Sequence, residues 1–303
     1  MNNTLGVIGK GFVGTAFEEG MRHAFEVLCY DKKAPQAISS KKGQDFHTFI
    51  AEEPYAWLVT RCQAIFICVP TPMTEDGACD TSLVENVVEA IYLEAKAQNK
   101  SPVVVIKSTV VPGTTEKLNN KYSPTIQCVF NPEFLREATY LDDFKNQDRI
   151  IIGGPRPASG IVKSIYQHAY PDVPTVKTCS TTAEMVKYIT NCFLAVKVAF
   201  ANEIFQLCDS LKIDYDKVVE YATKDQRLGT SHWAVPGPMA ADDGTGRLLK
   251  GFAGSCFVKD LNALIALAKS CNIDPKVMDG AWNKNLEVRP ERDWENLKGR
   301  AVQ

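Results

Sequence analysis

The chain has 303 residues, enough for about two domains at roughly 150 residues each. Hydrophobic residues make up 45% and charged residues 23%, which argues against intrinsic disorder, and a formal net charge of −2 gives no basic field for nucleic acid or an anionic membrane. No apolar run approaches the ~18 residues of a membrane helix and the N-terminus lacks a cationic n-region, so we expect a soluble, cytoplasmic protein that binds neither membrane nor nucleic acid.

A short apolar run at residues 5–8 is predicted to form a buried strand. It leads into Gly9-x-Gly11-x-x-Gly14, and a segment compatible with a helix follows at residues 12–21. In such a turn the first glycine permits the tight bend, the second lets a pyrophosphate approach the backbone, and the third lets the helix pack on the strand. The N-terminus of the helix then faces the phosphate charge, so the pattern predicts a dinucleotide site.

A second strand is predicted at residues 25–30, and Asp31 follows it. The carboxylate lies about 20 residues beyond the glycines, where it would accept hydrogen bonds from a ribose diol and repel a 2′-phosphate. NAD is therefore favoured over NADP, although Lys32 and Lys33 weaken this preference slightly.

Further strands alternate with helical stretches, notably a helix at residues 82–98. The predicted strands cover residues 64–69, 103–106, 126–130 and 149–152. This alternation predicts an α/β fold with a doubly wound, parallel, Rossmann-like sheet, in which ligands bind beyond the carboxyl ends of the strands. Hydroxyl groups, a carboxylate and turn-forming prolines follow those ends at residues 69–72, 107–109 and 131–133.

The second half begins with a long helix, predicted over residues 182–211 because the segment lacks Gly and Pro. Thr181 and Glu184 are spaced as a capping box at its start. Lys187 and Asn191 are four residues apart, so both side chains project from one face. Such a pair alone is usually solvated.

Cys256 follows a glycine-rich segment and precedes a predicted helix. Exposed N–H groups and the helix dipole would stabilise a thiolate there, and Asp260, about one turn later, could hold water or a lysine beside it. The residues alone leave open whether Cys256 is a nucleophile. The other nine cysteines are expected to be small buried hydrophobes, and without a C-x-x-C or a pair of histidines we expect no metal site.

Six blocks, in this order, resemble the UDP-glucose/GDP-mannose dehydrogenase family over essentially all 303 residues. They are Gly9-x-Gly11-x-x-Gly14, Val69-Pro70-Thr71-Pro72, Lys107-Ser108-Thr109, Asn131-Pro132-Glu133-Phe134-Leu135-Arg136-Glu137, Lys187-x-x-x-Asn191 and Gly251-Phe252-Ala253-Gly254-Ser255-Cys256-Phe257-Val258-Lys259-Asp260. Ala253 and Val258 depart from the family's usual Gly and Pro. Ala253 disfavours a positive φ, so we expect a shifted loop.

The resemblance implies a four-electron oxidation of the C6 alcohol of a nucleotide sugar to a uronate, UDP-glucose above all, with two NAD used in succession. It implies that Cys256 captures the aldehyde as a thiohemiacetal, which is oxidised to a thioester and hydrolysed. Lys187 and Asn191 would stabilise the oxyanions, and Asp260 would orient water and the lysine. Glu137 and Thr109 would form a water-holding or base cluster, with Glu137 one helical turn from Glu133. Which carboxylate is the base stays open.

The resemblance also assigns the binding residues. Those for the cofactor are Gly9, Gly11, Phe12, Val13, Gly14, Asp31, Thr71, Thr109 and Glu133. Those for the substrate are Glu133, Phe134, Leu135, Lys187, Asn191 and Gly254. Lys259 is expected to touch the cofactor or the sugar.

The domains expected are an NAD-binding domain at residues 1–178 and an all-helical central domain at 179–303 that forms a homodimer. The family's C-terminal UDP-binding domain is expected to be absent, through a natural short form, truncation or supply by another chain. Contacts to the base and sugar are expected in that region and in the loop at residues 241–247.

Two alternatives remain: a two-electron dehydrogenase of the hydroxyacid type in which Cys256 is idle, and a non-catalytic NAD-binding module.

Overall fold

The computed structural model describes residues 3–40, 47–50, 53–239 and 246–303. The chain divides into two compact units. The first unit contains residues 1–71 and 81–187, and the second contains residues 72–80 and 188–303. The domain limits at 1–178 and 179–303 stay a prediction.

Nine strands of the first unit form one sheet in the order β4-β3-β2-β1-β5-β6-β7-β8-β9. They are β1 (Thr4–Ile8), β2 (Glu26–Asp31), β3 (Ala34–Ser40), β4 (His47–Ile50), β5 (Ala64–Ile67), β6 (Val103–Ile106), β7 (Gln127–Phe130), β8 (Ile150–Gly153) and β9 (Thr175–Thr178). The five central strands β2, β1, β5, β6 and β7 pair in parallel. The short β-branched runs of these strands suit a sheet covered on both faces, and the Rossmann-like fold is confirmed.

Two features of the sheet differ from the prediction. Strands β3 and β4 form an antiparallel extension beyond β2, where no strand was predicted. Strand β8, predicted to be parallel, is antiparallel to β7, with which it pairs at Phe130 and Gly153. A run of four apolar residues indicates burial but not direction, because direction depends on how the connecting segment returns the chain to the sheet.

Ten helices occur among the described residues. They are α1 (Phe12–Met21), α2 (Pro54–Arg61), α3 (Ser82–Ala97), α4 (Thr114–Tyr122), α5 (Tyr140–Lys145), α6 (Ala158–Ala169), α7 (Ser180–Leu211), α8 (Tyr215–Ala222), α9 (Phe257–Ser270) and α10 (Lys276–Val288). The helices predicted at residues 12–21, 82–98 and 182–211 correspond to α1, α3 and α7. The second unit is built from most of α7 and from α8, α9 and α10, which confirms a helical second half.

The two faces of the sheet carry separate apolar clusters. Phe66 belongs to one cluster, whereas its neighbours Ile65 and Ile67 belong to the other, because successive side chains of a strand point to opposite faces. Phe17 of α1 packs on Phe66 with 4.0 Å between ring centroids. This contact fixes α1, and with it the glycine turn that precedes the helix.

Six cysteines are buried, two are half-buried and two are exposed, and all ten are free thiols. The buried ones are Cys29, Cys62, Cys68, Cys128, Cys192 and Cys208. The prediction of burial is thus wrong for Cys79, Cys179 and Cys271. Burial raises the pKa of Cys68 and of Cys128 to about 12, so both thiols stay protonated as small hydrophobes. In the part of the chain that the structure describes, no helix is long and apolar enough to cross a membrane, and no group of three acidic, cysteine or histidine side chains could hold a metal ion.

Candidate active site

The glycine turn after β1 leaves room for a phosphate at one position and no room for a side chain at another. Gly9 adopts a φ of +95°, which favours glycine. A Cβ atom on Gly14 would lie 1.9 Å from the Gly9 carbonyl oxygen, whereas a Cβ on Gly11 would meet nothing within 4 Å. The open space at Gly11, directly before α1 begins at Phe12, fits the pyrophosphate of NAD.

The Asp31 carboxylate at the end of β2 is held by backbone rather than by lysine side chains. The Lys10 N–H donates to Oδ2 at 2.6 Å and the Lys33 N–H donates to Oδ1 at 2.8 Å. The Lys10 ammonium instead pairs with Glu18 at 2.6 Å. Each oxygen of Asp31 can accept a further hydrogen bond, as a ribose diol would require.

The segments that follow β5 and β6 are tied together by buried hydroxyls. Thr71 Oγ1 donates to the Thr109 carbonyl at 2.7 Å, and Ser108 Oγ donates to the Val69 carbonyl at 2.6 Å. Both threonines predicted to bind the cofactor are thus brought together at the carboxyl edge of the sheet, where ligands of doubly wound folds bind.

Glu133 and Lys187 form a buried ion pair. Lys187 Nζ donates to Glu133 Oε1 at 2.8 Å and to the Glu133 carbonyl at 2.7 Å, and the two side chains are 9% and 3% exposed. Burial opposes ionisation of Glu133, but the Lys187 charge and the Leu135 N–H hold its pKa below its usual value. Glu133 is therefore a fixed carboxylate, and as a paired carboxylate it is a weak base.

The segment that follows Glu133 differs from the prediction. Residues 131–136 are not helical, and Glu137 lies exposed in a turn, so the helical turn expected to place Glu133 and Glu137 side by side does not form. The Phe134 ring contacts two cations, with Arg149 Cζ at 4.2 Å and Lys187 Nζ at 5.6 Å from its centroid.

In the second unit, Cys256 directly precedes α9 and is half-buried. Gly251 and Gly254 have φ of +70° and +73°, whereas Ala253 is not among the residues with positive φ. The methyl group of Ala253 therefore causes no backbone strain, and the shift expected from this departure has no basis there.

The turn before Cys256 is held by Asn285, a fully buried residue of α10 that the sequence did not indicate. The Phe252 N–H donates to Asn285 Oδ1 at 2.7 Å, and Asn285 Nδ2 donates back to the Phe252 carbonyl at 2.9 Å. A Cβ on Gly251 would lie 2.4 Å from Asn285 Oδ1. A polar residue in a helix is usually exposed to solvent, and the sequence pattern alone does not show that Asn285 is buried.

Asp260, in the first turn of α9, is completely buried and accepts two hydrogen bonds from side chains. Asn191 Nδ2 donates to Oδ2 at 2.6 Å and Lys259 Nζ donates to Oδ1 at 2.5 Å. Burial alone lowers the pKa of Lys259, but the charges of Asp260 and of the nearby thiols Cys79 and Cys256 outweigh it and raise this pKa. The lysine held by Asp260 is thus Lys259.

The capping box predicted at Thr181 and Glu184 is wrong. Helix α7 begins at Ser180, so Thr181 lies inside it, and its Oγ1 donates to Glu116 at 3.4 Å. Glu184 instead accepts from the N–H groups of Gly113 and Thr115, at 2.6 and 2.8 Å. The carboxylate satisfies donors at the start of α4 that no local group reaches.

Lys107 belongs to one of the six sequence blocks, which assign it no role, and it lies at the centre of a buried polar network. Its Nζ donates to Asn131 Oδ1 at 2.9 Å and approaches Tyr166 Oη at 3.3 Å, while Tyr166 Oη donates to the same Asn131 oxygen at 2.5 Å. Burial lowers the pKa of Lys107 to about 8. The network holds Asn131, two residues before Glu133.

Of the loop expected to contact the substrate, residues 241–245 lie outside the described residues. Of the other predicted binding residues, Phe12 and Val13 are the first two residues of α1, and Gly254 lies in the glycine turn before Cys256. Phe12 is 36% exposed.

The NAD binding domain of the UDP-glucose/GDP-mannose dehydrogenase family matches residues 45–170, and the central domain of the same family matches residues 181–287. UDP-glucose 6-dehydrogenase AglM of Haloferax volcanii is 30% identical, over 98% of this chain and 72% of the relative. The chain belongs to the UDP-glucose/GDP-mannose dehydrogenase family. This membership confirms the predicted family and NAD as its cofactor.

Two further members show how much of a typical relative is present. UDP-glucose 6-dehydrogenase of Rickettsia bellii is 34% identical over 85% of this chain and 55% of its own length. The solved UDP-glucose dehydrogenase of the archaeon Pyrobaculum islandicum superposes with a TM-score of 0.79 at 28% identity, over 99% of this chain and 71% of that one. The chain thus spans between about half and three quarters of these family members.

Proposed function

We propose that the protein oxidises the C6 alcohol of a nucleotide sugar, UDP-glucose in the first instance, to the uronate. NAD, when bound, accepts the hydride in each of two successive oxidations. The observation that carries the proposal is the buried Asp260, which lies in the first turn of the helix that follows Cys256 and accepts hydrogen bonds from Asn191 and Lys259. Burying charged side chains costs free energy, and such groups cluster at functional sites.

In this mechanism the Cys256 sulfur adds to the C6 carbonyl of the aldehyde formed by the first oxidation, giving a thiohemiacetal. Loss of a second hydride from C6 leaves a thioester, and water then displaces the thiol to release the carboxylate. Helix α9 begins at Phe257, so its free N–H groups and dipole favour the thiolate of Cys256.

Oxyanions form at C6 in the addition and in the hydrolysis. We propose that the Lys187 ammonium and the Asn191 amide donate to them, because donors already fixed by partners need little reorganisation. Lys187 is fixed by Glu133 and Asn191 by Asp260. Among the carboxylates, Glu133 and Asp260 are both paired with lysines, so activation of water at either would require that pairing to loosen.

The proposal is tested with NAD and a panel of nucleotide sugars. Two NADH and one uronate per sugar are expected, and one NADH per sugar would instead indicate the two-electron dehydrogenase. NAD binding without oxidation of any sugar would indicate a binding module.

Cys256→Ser should abolish uronate formation and leave NAD affinity unchanged. Cys271→Ser, at the exposed far end of the same helix, is the matched control and should behave as wild type. Mass spectrometry of the quenched wild-type protein should find a sugar adduct on Cys256. Normal uronate formation by Cys256→Ser would remove the covalent mechanism.

We also infer that two copies associate through α7. Large apolar side chains stand exposed along one side of this helix at spacings of four and seven residues: Ile189, Phe193, Phe200, Leu207 and Leu211, each more than half exposed. Such a stripe is typical of an interface between helices. Sedimentation should give a dimer, and Phe193→Asp together with Phe200→Asp should give a monomer; a monomeric wild-type protein would contradict the inference.

A further inference from the structure

The final residues of the chain, 297–303, fold back within the second unit; we call them the tail. The Met73 N–H donates to the Ala301 carbonyl at 2.8 Å, and the Gln303 N–H donates to the Met73 carbonyl at 3.0 Å. Ala301 is completely buried. The tail is therefore paired with the segment at residues 72–80 through its backbone, and its conformation is defined.

A tight turn in the tail sets the position of Arg300. Gly299 adopts a φ of +71°, and its N–H donates to the Val302 carbonyl at 2.7 Å. The Arg300 N–H donates to the Leu297 carbonyl at 3.1 Å. These bonds fix the backbone on both sides of Arg300, so the guanidinium extends from a rigid base.

Arg300 extends to the residue next to the proposed nucleophile. Its Nη2 donates to Ser255 Oγ at 3.4 Å, and Ser255 Oγ lies 3.9 Å from Cys256 Sγ. The distance from Nη2 to the sulfur is therefore at most the sum of these two distances. Arg300 is half-buried, so part of its surface is accessible to a ligand.

Lys259, whose charge also acts on the Cys256 thiol, is held in a buried ion pair. Lys259 Nζ pairs with the buried Asp260 at 2.5 Å, and its side chain is only 11% exposed. A guanidinium presents several N–H donors in one plane and binds phosphate oxygens in pairs, which an ammonium cannot do. The chemistry beside Cys256 thus favours Arg300 as the group that meets an anionic part of a substrate.

We propose that Arg300 binds the diphosphate of the nucleotide sugar. This rests on the proposed function, because that function places C6 of a hexose on the Cys256 sulfur. The diphosphate is attached at C1, which only the ring oxygen separates from C5, the carbon that carries C6. The phosphate thus lies a few bonds from C6, and the upper limit on the distance from Arg300 Nη2 to the sulfur is compatible with that span. The tail would thus supply a contact that holds the nucleotide end of the substrate.

The test is calorimetric titration of the full chain with UDP, together with steady-state kinetics on UDP-glucose. Arg300→Gln should weaken UDP binding and raise KM for UDP-glucose by about ten- to a hundredfold, the effect of losing a charged hydrogen-bond donor. Its kcat at saturating sugar should stay within a fewfold of wild type, and its affinity for NAD should not change. Arg300→Lys should recover part of the loss, whereas Lys298→Gln, an exposed residue of the same tail, should leave UDP binding unchanged.

Equal UDP affinity in wild type and Arg300→Gln would overturn the assignment while leaving the proposed function intact. A fall in kcat with unchanged UDP binding would also overturn it, and would place the guanidinium on C6 instead. If Arg300→Gln melts at a lower temperature than wild type, its weaker UDP binding could come from a loss of stability, and Arg300→Lys is then the test. Unchanged UDP affinity in Arg300→Lys would contradict paired contacts from the guanidinium to phosphate. A wild-type protein that neither binds UDP nor oxidises a nucleotide sugar removes the proposed function itself, and the assignment with it.

Discussion

Replacing Lys187 by methionine should destabilise the first unit by about 3 kcal/mol. The substitution removes two hydrogen bonds to Glu133 and leaves a carboxylate that is 9% exposed without the ammonium that neutralises it. Breaking a buried pair by removing one partner costs about 3–5 kcal/mol. We take the lower end because the Leu135 N–H still donates to Glu133 and the Lys107 charge remains nearby. At about 2–4 °C per kcal/mol, the melting temperature should fall by about 6–12 °C.

Urea unfolding and thermal melting followed by circular dichroism measure the effect. The double variant Lys187→Met, Glu133→Gln should recover most of the loss, because no buried charge is left alone. Lys121→Met, which removes a pair with Glu89 at 3.8 Å on the surface of the same unit, is the control and should change stability by less than about 1 kcal/mol. If the free energy of unfolding of Lys187→Met lies within about 1 kcal/mol of the wild-type value, the pair of Lys187 and Glu133 does not stabilise the fold as argued.

The pH dependence of the Lys187→Met variant follows from the same geometry. In wild type the pKa of Glu133 is below its usual value, so its contribution to stability is present above that usual value and is lost as the pH falls through the folded-state pKa. Without Lys187, burial raises the pKa of Glu133 instead. Protonation of Glu133 then removes the unpaired buried charge from the variant. The difference in free energy of unfolding between the variant and wild type should therefore shrink as the pH is lowered from 7 toward 5.

Gly14→Ala should destabilise the chain by about 1–3 kcal/mol and lower its affinity for NAD, because the new methyl meets the Gly9 carbonyl at 1.9 Å. Gly11→Ala should leave the melting temperature nearly unchanged and weaken NAD alone; equal melting temperatures for the two variants would contradict the packing role of Gly14. For Lys107, a folded-state pKa of about 8 against an ordinary 10.5 means that stability rises with pH between those values, by about 3 kcal/mol in total. Urea unfolding at pH 7 and 10 should show most of this gain in wild type. Lys107→Met should lack it, and an equal gain in the variant would exclude Lys107 as its source.

The parts of the fold that the sequence predicted are those fixed by neighbours in the chain. Helix α1 covers Phe12–Met21 as predicted, because the glycine turn determines where it begins. Strand β6 covers Val103–Ile106, a run of β-branched residues that only a buried strand explains well. The strands at β3 and β4 have no comparable apolar alternation, and they were missed.

The sequence names candidate site residues but does not predict the contacts that they make. Lys187 was expected to act beside Asp260, yet it pairs with Glu133, 54 positions away in the chain. Glu184 was expected to cap its own helix, yet its donors lie at α4, about 70 positions away. The spacing of residues along a helix predicts which side chains of that helix can contact each other. It does not predict a contact with a residue that is distant in the chain and that tertiary folding brings near.

The distribution of the cysteines makes selective alkylation feasible. Exposed Cys179 and Cys271 would react first with iodoacetamide, and burial protects six of the remaining thiols. A chain with serine at 179 and 271 would therefore present only the half-buried Cys79 and Cys256 to the reagent. The mass gained at Cys256, with and without a nucleotide sugar, would then report occupancy of the site without substitution of any residue proposed to act there.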